Sequence, residues 1–490
     1  MTQRHKQEIQ ASTEPSRAAL SWLLSSLTLC LALMSASSAV AEPEVQTLQR
    51  QLAALQERYT IPVIAVNIQR RDSPPLAFVL GAKSSTPMRW GSITKTITAL
   101  TVLALHHNDQ LDLAAPLANY VDASYWHNPW QKTNPITVHH LLELRAGFAD
   151  LSRLEFDYNE PMSLAQAFAL DPAAHKVLWP PGLQHAYSNF TPGLTQLLIE
   201  EVTGVPYAAA AKDLVFAPLG MTAAGFAPNP TLPGGFKADG KTPIPYWHMT
   251  FPAFGALNAN ILDMQKLLAA LMGRGPLPTT STNYLLSPHT RSIAPNFAFD
   301  YAAGFYPRVR RGHVWHTHGG DADGYRSRIA FLAGHKLGYV VNINVDNARA
   351  LRDIERLIEG FLGDGFARPV QSVAPIPTAP SFRALDEMVG TYYPSSVRFG
   401  IPAWRAGDLP TATIQLIEGH LQFRYKGQTT ELIQVNQGQF RRSSDPVATV
   451  VFAEQTTDEG TYLYLQGELG NFVHTGNCPP FLVSVALCIH

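Results

Sequence analysis

The sequence predicts an α/β sandwich, in which an antiparallel sheet is flanked by helices and carries a mostly helical subdomain, followed by an all-β domain. First, strand and helix patterns occur together at both ends of the first two-thirds of the chain. Second, residues 109–290 contain helical patterns and Pro-rich loops without a convincing succession of strands. Third, short strand patterns separated by turn residues fill the chain beyond a Pro-rich stretch at residues 368–382.

Composition sets outer limits on function. The chain has 490 residues, a formal net charge of −1 and 46% hydrophobic residues. It can therefore bury a large core and hold more than one domain. A net charge near zero gives no support to a nucleic-acid partner.

Residues 1–41 are typical of an export signal. Basic residues come first, an apolar run follows at residues 18–34, and Ala39–Ala41 supplies the small residues of a cleavage site. We therefore expect a periplasmic or secreted protein that begins at Glu42. An uncleaved membrane anchor is the alternative, because the apolar run is at the short edge of a spanning helix.

The elements that follow the signal predict a helix and then a hairpin. Apolar residues recur at helical spacing at Val45, Leu48, Leu52 and Leu55. Residues 63–68 and 76–80 have strand patterns on either side of a turn at residues 70–75. Later segments near Gly304 and at 326–332 and 337–343 would return to the same sheet, and a closing helix would carry Ile354, Leu357, Ile358 and Phe361 on one face.

A serine and a lysine three positions apart open the next apolar run. Ser92 and Lys95 would share a helix face, and Lys95 is the one charge between Ser92 and Leu105. The positive end of the helix dipole and the lysine would both favour negative charge on the serine oxygen, which is the setting for an activated nucleophile. The alternative is an N-cap serine and a surface lysine, since this spacing occurs roughly once by chance in a chain of this length.

Two later triplets strengthen the catalytic interpretation. A Y-x-N triplet contains Tyr187 and Asn189, and an H-G-G triplet spans His318–Gly320 and leads towards a predicted strand. With Ser92 and Lys95, in this order, they resemble the serine beta-lactamase and penicillin-binding family, in particular its class C-like esterases, D-aminopeptidases and carboxypeptidases. The resemblance runs from about Ile61 to Asn344 and implies the beta-lactamase/transpeptidase-like fold.

The resemblance also implies a role for each group. Ser92 would attack the substrate carbonyl and carry the acyl group. Lys95 would stay cationic and favour the phenolate of Tyr187, which would take the serine proton and later pass it to the leaving group. Which of these two groups is the base is disputed even in relatives. Asn189 would orient Lys95 and the substrate.

An oxyanion hole would complete the site. The backbone N–H groups of Ser92 and Asp321 would form it, beside His318, Gly319 and Gly320 on the substrate-binding side. No metal or organic cofactor is implied. A metal cluster at His313, His316 and His318 is an alternative, which the lack of an accompanying carboxylate-rich or cysteine motif disfavours.

The sequence departs from the family pattern at two places. Relatives usually read H-T-S-G after a double leucine, whereas this chain has Leu144–Gly147, so polar groups that would support the site are missing. Asp321 puts a carboxylate beside the proposed oxyanion hole, where it would either turn outward or favour a cationic amine in the substrate.

The last quarter of the chain predicts a separate β domain. The boundaries we expect are residues 42–367 for the hydrolase domain, 368–382 for a semi-rigid linker and 383–490 for a barrel that resembles the lipocalin-like domain of some relatives. Six strand candidates lie in it, at residues 389–393, 413–417, 421–425, 431–435, 447–452 and 462–465. Cys478 and Cys488 are candidates for a disulfide, with two free thiols as the alternative. Because every catalytic triplet precedes the linker, we expect the first domain to hydrolyse small esters alone.

Together these observations predict an exported serine hydrolase that cleaves a small ester, amide or D-amino-acid peptide. A cell-wall D,D-carboxypeptidase or endopeptidase and a beta-lactamase are alternatives within enzymes. A penicillin-recognising binding protein with little turnover is the alternative from another class. The expected partner is a small-molecule or peptide substrate, with a cell-envelope component as a further option; the oligomeric state does not follow from the sequence.

Overall fold

A computed structural model describes residues 43–71, 73–156, 158–290, 297, 299–363, 383–395, 411–457 and 460–477. The expected export signal, the linker and both mature cysteines lie outside these residues. The chain divides into two compact units, Met1–Ala54 and Leu55–His490. In the first unit residues 43–54 are helical, and this helix, α1, ends at residue 58. None of the helices in the described ranges combines the length and apolar character that crossing a membrane requires.

A hairpin and the predicted buried helix open the second unit. The strands are β1 (Ile64–Arg70), β2 (Ser73–Leu80) and the short β3 (Met88–Arg89). A 3-10 turn at Gly91–Ile93 then leads directly into helix α2 (Thr94–His107). Every α2 residue from Thr94 to Leu103 is buried, as its nearly charge-free sequence predicts.

Helices outnumber strands in the middle of the chain, and most of these helices are short. They are α3 (Val138–Leu142), α4 (Leu164–Phe168), α5 (Phe190–Thr203), α6 (Tyr207–Ala211), a π-helical turn (Lys212–Phe216), α7 (Ala217–Leu219), α8 (Ile261–Leu271) and α9 (Thr279–Tyr284). Three two-residue strands lie among them: β4 (Gly235–Phe236), β5 (Pro243–Ile244) and β6 (Asn258–Ala259). Single 3-10 turns occur at Leu117–Asn119, Ala123–Tyr125, Arg153–Glu155, Pro172–Ala174 and Pro252–Phe254. Helix α5 packs against α2, so the subdomain rests on the helix that follows Ser92.

Four more strands complete the main sheet. They are β7 (Tyr306–Arg310), β8 (His313–Ala322), β9 (Tyr325–Leu332) and β10 (Leu337–Ile343), and helix α10 (Ala348–Gly363) follows. The six-stranded order is β2-β1-β10-β9-β8-β7, with every neighbouring pair antiparallel. The H-G-G triplet lies inside β8, and β9 follows it after a short turn, so the expectation that the triplet leads towards a strand is confirmed.

The C-terminal part forms a closed barrel of eight antiparallel strands. The strands are β11 (Gly390–Pro394), β12 (Ala412–Ile417), β13 (His420–Tyr425), β14 (Gln428–Asn436), β15 (Gln439–Arg441), β16 (Val450–Thr457), β17 (Gly460–Gly467) and β18 (Phe472–His474). Alternate residues such as Leu421 and Phe423 fill its core, as a strand period of two requires. The predicted α/β sandwich followed by an all-β barrel is therefore confirmed.

Candidate active site

Ser92 lies at the junction of the 3-10 turn and α2. Gly91 has a φ of +51°, a left-handed conformation that glycine adopts without steric cost. The Thr94 hydroxyl donates to the Gly91 carbonyl at 2.6 Å and accepts the N–H of Leu257 at 3.0 Å. The turn that carries Ser92 is thus fixed from both sides, one turn before Lys95.

Lys95 is buried, with 5% of its surface exposed, and its ammonium group meets three acceptors. The Nζ atom donates to Ser92 Oγ at 3.2 Å, to Asn189 Oδ1 at 2.7 Å and to the Phe254 carbonyl at 2.9 Å. An ammonium group has three protons, so these acceptors match its donors and offset the cost of burying the charge. The predicted pairing of Ser92, Lys95 and Asn189 is therefore present in the structure.

Tyr187 reaches the same serine oxygen. Its hydroxyl lies 2.8 Å from Ser92 Oγ, and Lys95 Nζ lies 4.8 Å from the centre of its ring. The backbone on either side is held, because the Ala186 N–H donates to the Leu144 carbonyl at 2.9 Å and α5 begins just after Asn189. The side chain is thus presented by a fixed segment.

Asp150 is a supporting residue that the sequence did not reveal. This buried carboxylate accepts the Asn189 N–H at 2.6 Å and the Asn189 side-chain N–H at 3.2 Å, and its Oδ1 also accepts the Leu151 N–H. Because its backbone N–H and its side-chain nitrogen both donate to Asp150, Asn189 points its side-chain oxygen at Lys95. A lone aspartate far from Asn189 in sequence carries no local signal of this contact.

Strand β8 brings the H-G-G triplet against the Ser92 turn. A Cβ atom added to Gly320 would lie 1.9 Å from the Trp90 carbonyl oxygen and 2.3 Å from Ser327 Oγ. A Cβ added to Gly91 would lie 2.7 to 2.8 Å from backbone atoms of Asp321. This close approach requires glycine and sets the Asp321 backbone beside the serine turn, as the predicted oxyanion hole needs.

The Asp321 side chain turns outward. It is 61% exposed and accepts from Arg326 at 2.8 Å. Of the two orientations expected from the sequence, the structure shows the one that removes this carboxylate from the site.

The three histidines of β8 have different neighbours. His318 is buried against Tyr306 and Tyr187, with ring centres 5.5 and 6.3 Å away. His316 packs on Phe331, and burial lowers its pKa to about 4. The His313 ring contacts His335. Within the described ranges, no group of three or more histidine, cysteine, aspartate or glutamate side chains has an arrangement that could hold a metal ion.

The segment Leu144–Gly147, which departs from the family pattern, contains a buried charge. Arg145 is fully buried and forms an ion pair with Asp300, whose other contacts include the Gln466 side chain at 2.6 Å. Burial, with the charge of Arg145 and His318 nearby, lowers the pKa of His185 to about 3, so this imidazole is neutral at pH 7. The expectation that polar support is missing here needs correction, because Arg145 anchors an ionic network.

The arrangement can perform nucleophilic chemistry. One serine oxygen meets a buried ammonium and a phenol, and a phenolate at Tyr187 would reverse the 2.8 Å contact and accept the serine proton. A site with two backbone segments packed at the serine can hold the oxygen of a polarised carbonyl. These features suit acyl transfer.

Comparisons with known proteins match most of the chain to one family. The sequence model of the protein family described as Beta-lactamase matches residues 48–360, which is well over half of the chain. The chain is 27% identical over 285 residues to the "Unguisins hydrolase ungD'" of Aspergillus campestris, which covers 51% of each chain. It is 28% identical over 227 residues to the "Putative penicillin-binding protein PbpX" of Bacillus subtilis, which covers 44% of this chain and 52% of that protein. The chain thus spans about half the length of these curated relatives.

A solved structure of SurE with D-Leu has the same fold. It is 19% identical, covers 88% of this chain and 99% of its own, and superimposes with a TM-score of 0.55. This superposition supports the architecture, and at 19% identity it carries no information about the chemistry of the site.

Proposed function

Because the chain belongs to the beta-lactamase family, we propose that it is an exported serine hydrolase that cleaves a small ester, amide or D-amino-acid peptide through an acyl-enzyme on Ser92. Family membership supports hydrolysis in general. The serine nucleophile, the substrate class and export are our own inferences.

One observation carries the proposal: Ser92 Oγ lies within hydrogen-bond distance of both Lys95 Nζ, at 3.2 Å, and the Tyr187 hydroxyl, at 2.8 Å. A structural serine needs neither a buried cation nor a phenol at its oxygen. Burying the ammonium has a desolvation cost that a purely structural role would not require. A nucleophile that must lose a proton gains from both neighbours.

The first step forms the acyl-enzyme. Tyr187, as phenolate, takes the proton of the Ser92 hydroxyl while Oγ bonds to the substrate carbonyl carbon, and the carbonyl oxygen becomes an oxyanion. The backbone N–H groups of Ser92 and Asp321 would stabilise this charge. The tetrahedral species then releases the leaving group, which receives the proton from the Tyr187 hydroxyl.

The second step consumes water. Tyr187, again a phenolate, takes a proton from a water molecule whose oxygen bonds to the acyl carbon. The bond to Ser92 Oγ breaks, Oγ regains the proton from Tyr187, and the carboxylic acid product leaves. Lys95 keeps its proton throughout and stabilises the negative charge that passes between the two oxygens.

Labelling and turnover together test the proposal. The wild-type protein should hydrolyse p-nitrophenyl acetate and react covalently with a fluorophosphonate probe, and Ser92→Ala should do neither because it lacks the oxygen that is acylated. Ser124→Ala removes a hydroxyl from an exposed turn and serves as the matched control. Labelling of folded Ser92→Ala at the wild-type rate would contradict the proposal.

A further inference from the structure

A pocket of about 380 Å³ opens beside Tyr187, and the barrel supplies one of its walls. Tyr187, Tyr306 and Arg308 line one side. The other side is the turn from Gly467 to Asn471, which joins β17 to β18 of the barrel. Residues on both sides of the predicted linker therefore build a single cavity.

Direct contacts hold this wall in place. The Asn471 side chain donates to the His185 carbonyl at 3.0 Å, and Gln184 donates to the Ser395 carbonyl at 2.5 Å. Both contacts fall two or three residues before Tyr187. The barrel thus braces the segment that presents the proposed proton acceptor.

A second anchor lies deeper. Gln466 of β17 donates to Asp300 at 2.6 Å, and Asp300 is the ion-pair partner of Arg145. The Arg145 carbonyl accepts the Gly182 N–H at 2.9 Å, which ties the network to the loop before Tyr187. Buried contacts of this kind fix relative position more firmly than exposed ones.

The position beside Tyr187 indicates what the pocket holds. In the proposed mechanism Tyr187 returns its proton to the leaving group, so that group must depart on the side of the phenol. The pocket that Tyr187 lines opens on that side.

The two carboxylates that line the pocket are paired with arginines, and Arg442 also pairs with Asp445 at 2.8 Å. Glu468 is 10% exposed, and its Oε1 lies 3.3 Å from Arg308 and 3.7 Å from Arg442. Burial raises the pKa of Glu468, and the two arginines oppose that shift. The Asp300 charge is balanced by Arg145.

Arg308 is the most exposed of the charged side chains that line the pocket. Its side chain is 44% exposed, and the contact with Glu468 uses the nitrogen Nη1. A guanidinium has five N–H donors in a rigid plane, so donors remain for a planar anion. The contact with Glu468 fixes the orientation of that plane.

We propose that the barrel completes the leaving-group pocket and that Arg308, oriented by Glu468 of the barrel, binds a carboxylate on the leaving group. The inference rests on the proposed function, which supplies the direction in which the leaving group departs. It assigns a specificity-determining role to Arg308 and a positioning role to Glu468.

Three esters that differ in one charge test the subsite. They are 4-acetoxybenzoate, 4-acetoxybenzamide and 4-(acetoxy)benzylamine. The enzymatic rate for each ester is divided by the rate at which hydroxide hydrolyses the same ester, which removes differences in leaving-group reactivity. We expect the kcat/KM of the wild-type protein to be about tenfold higher for 4-acetoxybenzoate than for 4-acetoxybenzamide. It should be lowest for 4-(acetoxy)benzylamine, which carries a positive charge. Arg308→Gln should abolish the preference for 4-acetoxybenzoate over 4-acetoxybenzamide.

A matched control lies two residues away on the same strand. Arg310 is 47% exposed and pairs with Glu359, and it does not line the pocket. Arg310→Gln removes the same charge and should keep the preference. Glu468→Gln keeps the side-chain shape and should reduce the preference by raising KM for 4-acetoxybenzoate relative to KM for 4-acetoxybenzamide.

The outcomes separate the two proposals. A wild-type protein that hydrolyses all three esters without preference, or an Arg310→Gln variant that loses the preference as fully as Arg308→Gln, would overturn the subsite. If the wild-type protein hydrolyses none of them, the proposed function fails, and calorimetry with 4-hydroxybenzoate decides the subsite alone. Binding that Arg308→Gln removes would support it, and absent or unchanged binding would refute it.

Discussion

Asp150 offers a test of how the lysine is held. Its two carboxylate oxygens accept the Asn189 N–H at 2.6 Å and the Asn189 side-chain N–H at 3.2 Å, and Asn189 in turn accepts from Lys95 at 2.7 Å. Asp150→Asn keeps the shape of the side chain but replaces one acceptor oxygen with an NH₂ group. Either the backbone N–H or the side-chain N–H of Asn189 must then face this NH₂ group, which is also a donor.

The expected loss follows from that conflict. A buried donor left without an acceptor costs about 1–3 kcal/mol, and the strain falls on the amide that orients Lys95. If most of this cost raises the activation free energy of Ser92 acylation, the acylation rate should fall by roughly 10- to 100-fold. Stopped-flow release of p-nitrophenol under single-turnover conditions measures that rate directly.

A surface aspartate supplies the control. Asp122 accepts the N–H of Ser124 at 2.8 Å in an exposed turn, so Asp122→Asn makes the same chemical change away from the site. It should leave acylation unchanged. A folded Asp150→Asn protein that acylates at the wild-type rate would refute the reasoning, because Asn189 would then hold Lys95 without Asp150.

Three further predictions concern packing, acid stability and processing. Gly320→Ala should lower the free energy of unfolding by about 1–3 kcal/mol, because its Cβ would meet the Trp90 carbonyl oxygen at 1.9 Å. A Cβ at Gly319 would meet the end of the Arg328 side chain at 2.8 Å, which can shift more easily than backbone, so Gly319→Ala should cost less; urea unfolding compares the two variants. His185 has a folded-state pKa of about 3, below its unfolded value near 6.5, so the unfolded chain gains the proton first and stability falls as pH drops from 6.5 towards 3. His185→Phe should remove roughly 1.4 kcal/mol per pH unit from that fall, and an unchanged slope in urea titrations would contradict the assignment. N-terminal sequencing of the exported protein should find Glu42, and an intact Met1 in the membrane fraction would favour an anchor instead.

Local sequence patterns predicted the parts of the fold whose signals are local. The apolar run after Ser92, in which Lys95 is the one charge, is buried from Thr94 to Leu103, and short strands between Gly turns form the barrel. Two barrel strands escaped prediction because each has three residues, β15 (Gln439–Arg441) and β18 (Phe472–His474), which is too short for alternation to be recognised. Their pairing in the closed barrel stabilises them.

The parts of the site that sequence reasoning missed depend on distant contacts. Asp150 and Asn189 are far apart in the chain, so their contact has no local signal in the sequence. The sequence around Arg145 indicated only that polar groups of the family pattern are missing, because its ion-pair partner Asp300 is distant in the chain. The expectation that the first domain acts alone rested on the order of the triplets. That order carries no information about the wall that the turn after Gly467 contributes to the pocket beside Tyr187.

The most direct test of the account is the acylation rate of Tyr187→Phe. The substitution keeps the ring beside Lys95 and removes only the oxygen that lies 2.8 Å from Ser92 Oγ. Measured by stopped-flow across pH on protein checked for unchanged folding, the rate should fall by about two to four orders of magnitude. Near wild-type acylation by Tyr187→Phe, together with loss of acylation by Lys95→Ala, would contradict the account and identify Lys95 as the base.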